Sequence, residues 1–159
     1  MFKKTNTILM VVLVFLCISL FAAYFIEYIM GHKPCSLCLY QRIPYFFSII
    51  LILSIFFTEK YKKNIFIILS IISIIGAILG FYHFGIEKGI FDESFCKVIS
   101  GQEEDNIKEL IKNLKNSPIS CKNVPFTIFG LSLATINTLF SLALFAIFTK
   151  LYFNYEKNG

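Results

Sequence analysis

Two cysteines three positions apart, Cys35 and Cys38, are followed by Arg42 in the stretch PCSLCLYQR (34–42), and an apolar run begins inside the same stretch. Thiols at this spacing serve half of a zinc site, a structural disulfide or dithiol redox exchange. A helix opening after Pro34 puts Cys38 and Arg42 one turn apart on one face, near an N-terminus whose partial positive charge favours an anion. That arrangement predicts Cys38 as a thiolate, the form that attacks disulfides or donates electrons. A zinc site needs two further soft or imidazole ligands, and the near candidate is His32. No metal is therefore assigned. Arg42 has a second reading, an interfacial anchor whose stem lies in apolar surroundings.

The elements that position these residues follow from composition. In 159 residues, 57% hydrophobic and only 16% charged with mean hydropathy +0.72, the chain is too apolar for a soluble domain and long enough for about four membrane spans. The expected fold is all-α, a single integral membrane four-helix bundle over 1–159 with spans at about 7–29, 37–57, 65–84 and 124–149. The first apolar stretch reads as a retained helix: a signal peptide has a shorter core, and Leu16 before Cys17 departs from a lipoprotein cleavage site. Cys17 reads as a packing residue and Glu27 as a solvated interfacial carboxylate. Pro44 falls in the first turns of the second span. Gly76 and Gly80 stand at small-xxx-small spacing in the third, and the fourth opens with Asn123 as cap and Pro125 early in the helix. Asn137, inside that span, is expected to hydrogen-bond another helix.

The net charge of +5 resides in short lysine clusters between apolar runs, which speaks for topology and against a nucleic-acid partner. Lys3 and Lys4, Lys60 to Lys63, and Lys150 and Lys157 flank the spans on one side, so both termini are expected in the cytoplasm. The loops at about 30–36 and 85–123 are then extracytoplasmic, and the second carries Ile107, Leu110, Ile111 and Leu114 at the spacing of a short amphipathic helix. Four cysteines, Cys35, Cys38, Cys96 and Cys121, fall on this side, where disulfides persist. Cys96 and Cys121 are either a static staple worth roughly 3 kcal/mol on the chain-entropy model or, beside a second pair, partners in exchange.

Three segments, PCSLCLYQRIPY (34–45), GFYHFGIEKG (80–89) leading to Cys96, and SCKNVPFTIFGLSLATIN (120–137), resemble the DsbB family of bacterial disulfide-bond formation proteins, and the likeness extends over nearly the whole chain. The resemblance implies a multi-pass enzyme of the bacterial inner membrane. It would reoxidise a periplasmic thioredoxin-fold oxidase (DsbA-like) and pass electrons to a membrane quinone, ubiquinone or menaquinone. It further implies redox-active disulfides joining Cys35 with Cys38 and Cys96 with Cys121, with Cys38 facing the quinone and Arg42 as its electrostatic partner. His83, 13 residues before Cys96, resembles the family's quinone-side histidine, against the alternative of an interfacial histidine without chemistry. Cys17 has no counterpart in the family pattern, and the lysine-bearing stretch 106–116 departs from it. Two other classes stand beside this one. A vitamin K epoxide reductase-like enzyme would carry its CxxC on the last span, the reverse of the order here. A non-enzymatic membrane protein would hold two structural disulfides or a metal.

Overall fold

Uninterrupted apolar runs bounded by lysines, glycines and prolines form four long helices, because a helix satisfies its backbone polar groups within itself where no water is available. The computed structural model describes residues 2–31, 34–58, 61–92, 121–122, 127–128 and 130–158. Helix α1 spans Phe2–Tyr28, α2 Ser36–Phe57 and α3 Lys62–Glu87; two short strands, β1 Thr127–Ile128 and β2 Leu131–Ser132, precede α4, Leu133–Asn158. All four helices are long and apolar enough to cross a membrane. The protein is a four-helix integral membrane bundle.

The helices alternate in direction. Glu27 meets Arg42, Cys35 meets His83, and Tyr45 meets Asn137 at one end, while Lys63 meets Glu156 at the other. Leu9, Leu16, Ile52, Phe66, Leu69 and Phe148 form a fully buried core, whereas Val11, Phe21, Ile50 and Ile78 point outward where lipid would lie. The small residues of α3 admit close approach of its neighbours: the Cβ position of Gly76 lies 3.1 Å from Ser141 Oγ, and that of Gly80 lies 3.1 Å from the Thr138 backbone nitrogen. Tyr45 donates its hydroxyl to Asn137 Oδ1 at 2.6 Å, the interhelical bond expected of an intramembrane amide.

Three expectations change. The last helix begins at Leu133 rather than about 124, because residues 127–132 turn back on themselves as a hairpin. Thr127 pairs with Ser132 and Ile128 with Leu131, and Gly130 takes a positive φ of 77° in the turn. The same helix runs past 149 to Asn158. Cys17 is exposed, because the inward stripe of α1 is Leu9, Val12, Leu16 and Leu20, and Cys17 lies off it. Glu27 is not solvated but bonded to Arg42. The stretch 107–114 expected to form an amphipathic helix, His32 and Cys96 lie outside the described residues.

Candidate functional site

Cys35 is the N-cap of α2. Its extended backbone (φ −71°, ψ 165°) turns the side chain back over the first turn, where Sγ accepts the Cys38 backbone N–H at 3.3 Å. A cap position leaves helix N–H groups in want of an acceptor, and a sulfur there gains from the positive end of the helix dipole. The spacing of three then brings the Cys38 sulfur to 2.8 Å from that of Cys35. Leu37 and Ile86, both buried, wall the pair.

From α3, His83 approaches with Nε2 at 3.6 Å from Cys35 Sγ. Its other nitrogen, Nδ1, faces the side-chain amide nitrogen of Gln41 at 3.1 Å, and the same nitrogen donates to the Leu79 carbonyl at 3.3 Å. An amide nitrogen is only a donor, so Nδ1 is the acceptor and the proton of the neutral ring sits on Nε2, toward Cys35. Below the ring, Glu87 Oε1 lies 3.8 Å from Nε2, with both side chains almost wholly buried.

Three donors thus converge on one sulfur: the Cys38 amide, the Cys38 thiol and the His83 imidazole. The hydrogen bond from Cys38 holds the Cys35 thiol down to about 5, burial opposes this, and His83 reinforces it through its own hydrogen bond. The anion expected on Cys38 belongs in the reduced pair to Cys35, because the cap sulfur receives the Cys38 backbone N–H, which a sulfur inside the helix cannot reach.

Arg42 sits one turn beyond Cys38 as expected and within electrostatic reach of it, but its nearest partners are on α1. Nη1 donates to Glu27 Oε2 at 2.6 Å, and the guanidinium lies 4.7 Å from the centre of the Tyr24 ring. Cys121, from the far end of the long loop, is buried in the same cluster as Cys35, Leu37 and Ile86, and its backbone reaches His83. Cys121 is disulfide-bonded, whereas Cys35 and Cys38 are free. Three of the four expected cysteines, with His83, therefore meet at one end of the bundle.

Cys35, Cys38 and His83 also present one ligand atom each within 4.8 Å of one another, a soft donor set of two sulfurs and an imidazole. That is one short of the four ligands of a structural zinc site. Two members of the site were not singled out by sequence. Gln41 belongs to no local pattern, since its partner is 42 positions away. Glu87 follows His83 by one helical turn, a spacing that places both on one face and was a usable signal.

Comparison with known proteins adds a lineage to this geometry. The family model described as disulfide bond formation protein DsbB matches residues 4–151. An uncharacterized protein of Rickettsia prowazekii (strain Madrid E), RP370, is 30% identical over 164 residues, covering 99% of this chain and 91% of that one. No solved structure matches.

Proposed function

We propose that this chain, which belongs to the DsbB family of disulfide bond formation proteins, is a quinone-dependent thiol oxidase of the bacterial inner membrane that reoxidises a periplasmic thioredoxin-fold dithiol oxidase. Its lysine-rich end, with both termini, faces the cytoplasm, and the thiol end faces the oxidising compartment. The observation that carries the reading is the burial of Cys121 against Cys35, a loop sulfur packed beside a membrane-edge dithiol. A static staple has no need of that neighbour.

One pair must be reachable by a folded protein and the other by a lipid-soluble acceptor, and no single buried pair does both. In the proposed relay the partner's thiolate attacks Cys96 of a Cys96–Cys121 disulfide and forms a mixed disulfide. Cys121 is released as a thiolate and attacks Cys35 of the Cys35–Cys38 disulfide, which frees Cys38 as the sulfur facing the acceptor. Exchange of this kind passes through mixed disulfides and is fastest where the leaving sulfur is a stable thiolate.

A quinone accepts two electrons and two protons and carries a flat apolar ring with two carbonyl oxygens. The residues present suit such a group. Leu39, Ile43 and Phe46 open the α2 face to the lipid, Tyr24 offers an aromatic face, and Arg42 has guanidinium donors beyond the one given to Glu27. Arg42 would hold a carbonyl oxygen and favour negative charge on it, since guanidinium stays protonated at every working pH.

The test is the purified protein in lipid with a reduced thioredoxin-fold dithiol and a chosen quinone. One quinone is expected to be reduced for each dithiol oxidised. Dithiol oxidation without quinone reduction would overturn the reading. Orientation has its own test: after reduction, a membrane-impermeant thiol reagent should label Cys96 or Cys121 in intact spheroplasts, and labelling confined to inverted vesicles would reverse the topology.

A further inference from the structure

Two sulfurs and an imidazole nitrogen, from Cys35, Cys38 and His83, lie within 4.8 Å of one another. A tetrahedral zinc ion, with Zn–S about 2.3 Å and Zn–N about 2.0–2.1 Å, spaces a sulfur and a nitrogen about 3.5 Å apart and two sulfurs about 3.8 Å apart. Cys35 Sγ stands 3.6 Å from His83 Nε2, which fits without adjustment. The two sulfurs, 2.8 Å apart, have to open by roughly 1 Å. Cys38 has the freedom to do so, because it is only half-buried while Cys35 is buried as the helix cap, and the open side of Cys38 is also a way in for an ion.

Glu87, one helical turn after His83, brings a further donor. Its side chain is only 7% exposed, yet Oε2 has no hydrogen-bond partner among the described residues. Oε1 faces His83 Nε2 at 3.8 Å. A buried carboxylate oxygen without a partner is costly until a donor or a cation meets it. A turn of this carboxylate supplies the fourth ligand that two sulfurs and an imidazole lack.

We propose that the reduced Cys35–Cys38 pair, His83 and Glu87 form a binding site for a thiophilic divalent cation such as Zn²⁺, and that the cation holds the pair in its reduced state. The site needs only that both thiols be reduced, whatever oxidises them, so it stands independently of the quinone reading. On binding, two metal–sulfur bonds form, the Cys38 thiol proton passes to water, and no electrons move. His83 Nε2 gives up its hydrogen to ligate and Nδ1 gains one, which the Gln41 side chain accepts by turning its oxygen to the ring in place of its nitrogen. Metal-bound sulfurs cannot close the Cys35–Cys38 bond until the cation leaves, and in the disulfide two of the four ligands are gone. Thiolate and imidazole donors select Zn²⁺ and its softer relatives over Mg²⁺ and Ca²⁺, which prefer oxygen. Cys121, in the same cluster, is disulfide-bonded and does not compete for the ion.

The test is metal binding by the full-length protein in lipid, with Cys96 and Cys121 replaced by Ser so that loop thiols take no part, reduced and then freed of reductant. A Cd²⁺ titration followed by sulfur-to-metal charge-transfer absorbance should saturate at one ion per chain in the reduced protein and show no band in the oxidised one. Zn²⁺ should displace the Cd²⁺, and Ca²⁺ and Mg²⁺ should not. On this background His83→Ala and Glu87→Gln should each weaken binding on the order of 10–100-fold, with Glu87→Asp recovering part of the loss, and Cys35→Ser with Cys38→Ser should abolish the band. An undiminished band in that double cysteine variant, or unchanged affinity in both His83→Ala and Glu87→Gln, would overturn the proposal. Should the variants not fold, X-ray absorption of the reduced wild type carrying one Zn²⁺ decides alone: two sulfur and two nitrogen or oxygen neighbours support the site, and any other sulfur count refutes it. With Zn²⁺ bound, reoxidation of the pair by a small disulfide should stop and resume on adding a chelator; reoxidation at the metal-free rate would refute the hold on the reduced state. None of these readouts involves the quinone or the protein partner.

Discussion

Arg42 and Glu27 form a 2.6 Å ion pair across the α1–α2 contact, with side chains only 12% and 20% exposed. Fifteen residues separate them, and the contact fixes the direction of the guanidinium beside Cys38. Arg42→Lys keeps the charge but loses the planar fork, so it should retain part of the quinone reduction, and Arg42→Ala should lose much more. Glu27→Gln leaves the cation free to turn and should raise the quinone concentration needed for half-maximal turnover. Steady-state rates over a quinone series check this. Near-normal turnover of both Arg42 variants at low quinone would return the residue to a simple anchor.

The two cysteine pairs have separable tasks. Cys38→Ser removes the sulfur proposed to face the acceptor and should abolish quinone reduction, whether electrons come from the protein partner or from a small dithiol. Cys96→Ser removes only the landing site for the partner. Partner-driven reduction should collapse in it while dithiol-driven reduction survives at least in part. Normal partner oxidation by Cys96→Ser would make the long-loop pair a staple.

Cys35 gives a pH dependence with a definite sign. The hydrogen bond from Cys38, helped by His83, depresses its folded value to about 5, against roughly 8.5 for a free thiol. A depressed acid stabilises the fold when ionised. The contribution is complete above the unfolded value and disappears as pH falls through about 5. The ultraviolet thiolate absorbance of the reduced protein should therefore titrate near 5 and move upward in His83→Ala. A midpoint in the ordinary thiol range would contradict the donor geometry.

Gly80 and Gly76 should respond differently to an added methyl. At Gly80 the new Cβ meets Thr138 Oγ1 at 2.6 Å and the Thr138 backbone nitrogen at 3.1 Å, so α3 and α4 must separate. Gly80→Ala is expected to destabilise by about 1–3 kcal/mol, the usual range for overpacking. At Gly76 the closest atom is a rotatable hydroxyl oxygen, Ser141 Oγ at 3.1 Å, and the cost should be smaller. Denaturant titration in mixed micelles measures both, and equal losses would contradict the difference.

The helices were legible because apolar runs of membrane-crossing length leave few alternatives, and Gly76 and Gly80 announced a close contact through spacing alone. The start of α4 was not. Ile128 and Leu131, in the two strands, are as apolar as the helix that follows, so hydropathy cannot separate strand from helix there, and Gly130 was the turn signal between them. Cys35, Cys38, Arg42 and His83 stood out by residue type. Their partners did not, because Glu27 with Arg42 and Gln41 with His83 are pairings across helices that no local pattern encodes. The anion lies on Cys35 and not on Cys38 for a related reason: the cation one turn beyond Cys38 is visible in the spacing, whereas the role of Cys35 as the cap is set by the backbone at the start of α2.

After α3 the chain turns at Gly89, whose positive φ of 71° lets Ile90 donate back to the Gly85 carbonyl at 2.8 Å. Phe91 folds over the bare Gly85 and stacks on Tyr82 with ring centres 5.4 Å apart, while at the far end of the same loop Cys121 is buried beside Cys35. Both ends of the loop are thus moored to one corner of the bundle. A sulfur held at that corner meets Cys35 at an effective concentration set by the fold rather than by how much protein is present. Exchange between the pairs is then a first-order event, and its rate should stay constant as the protein is diluted in the membrane.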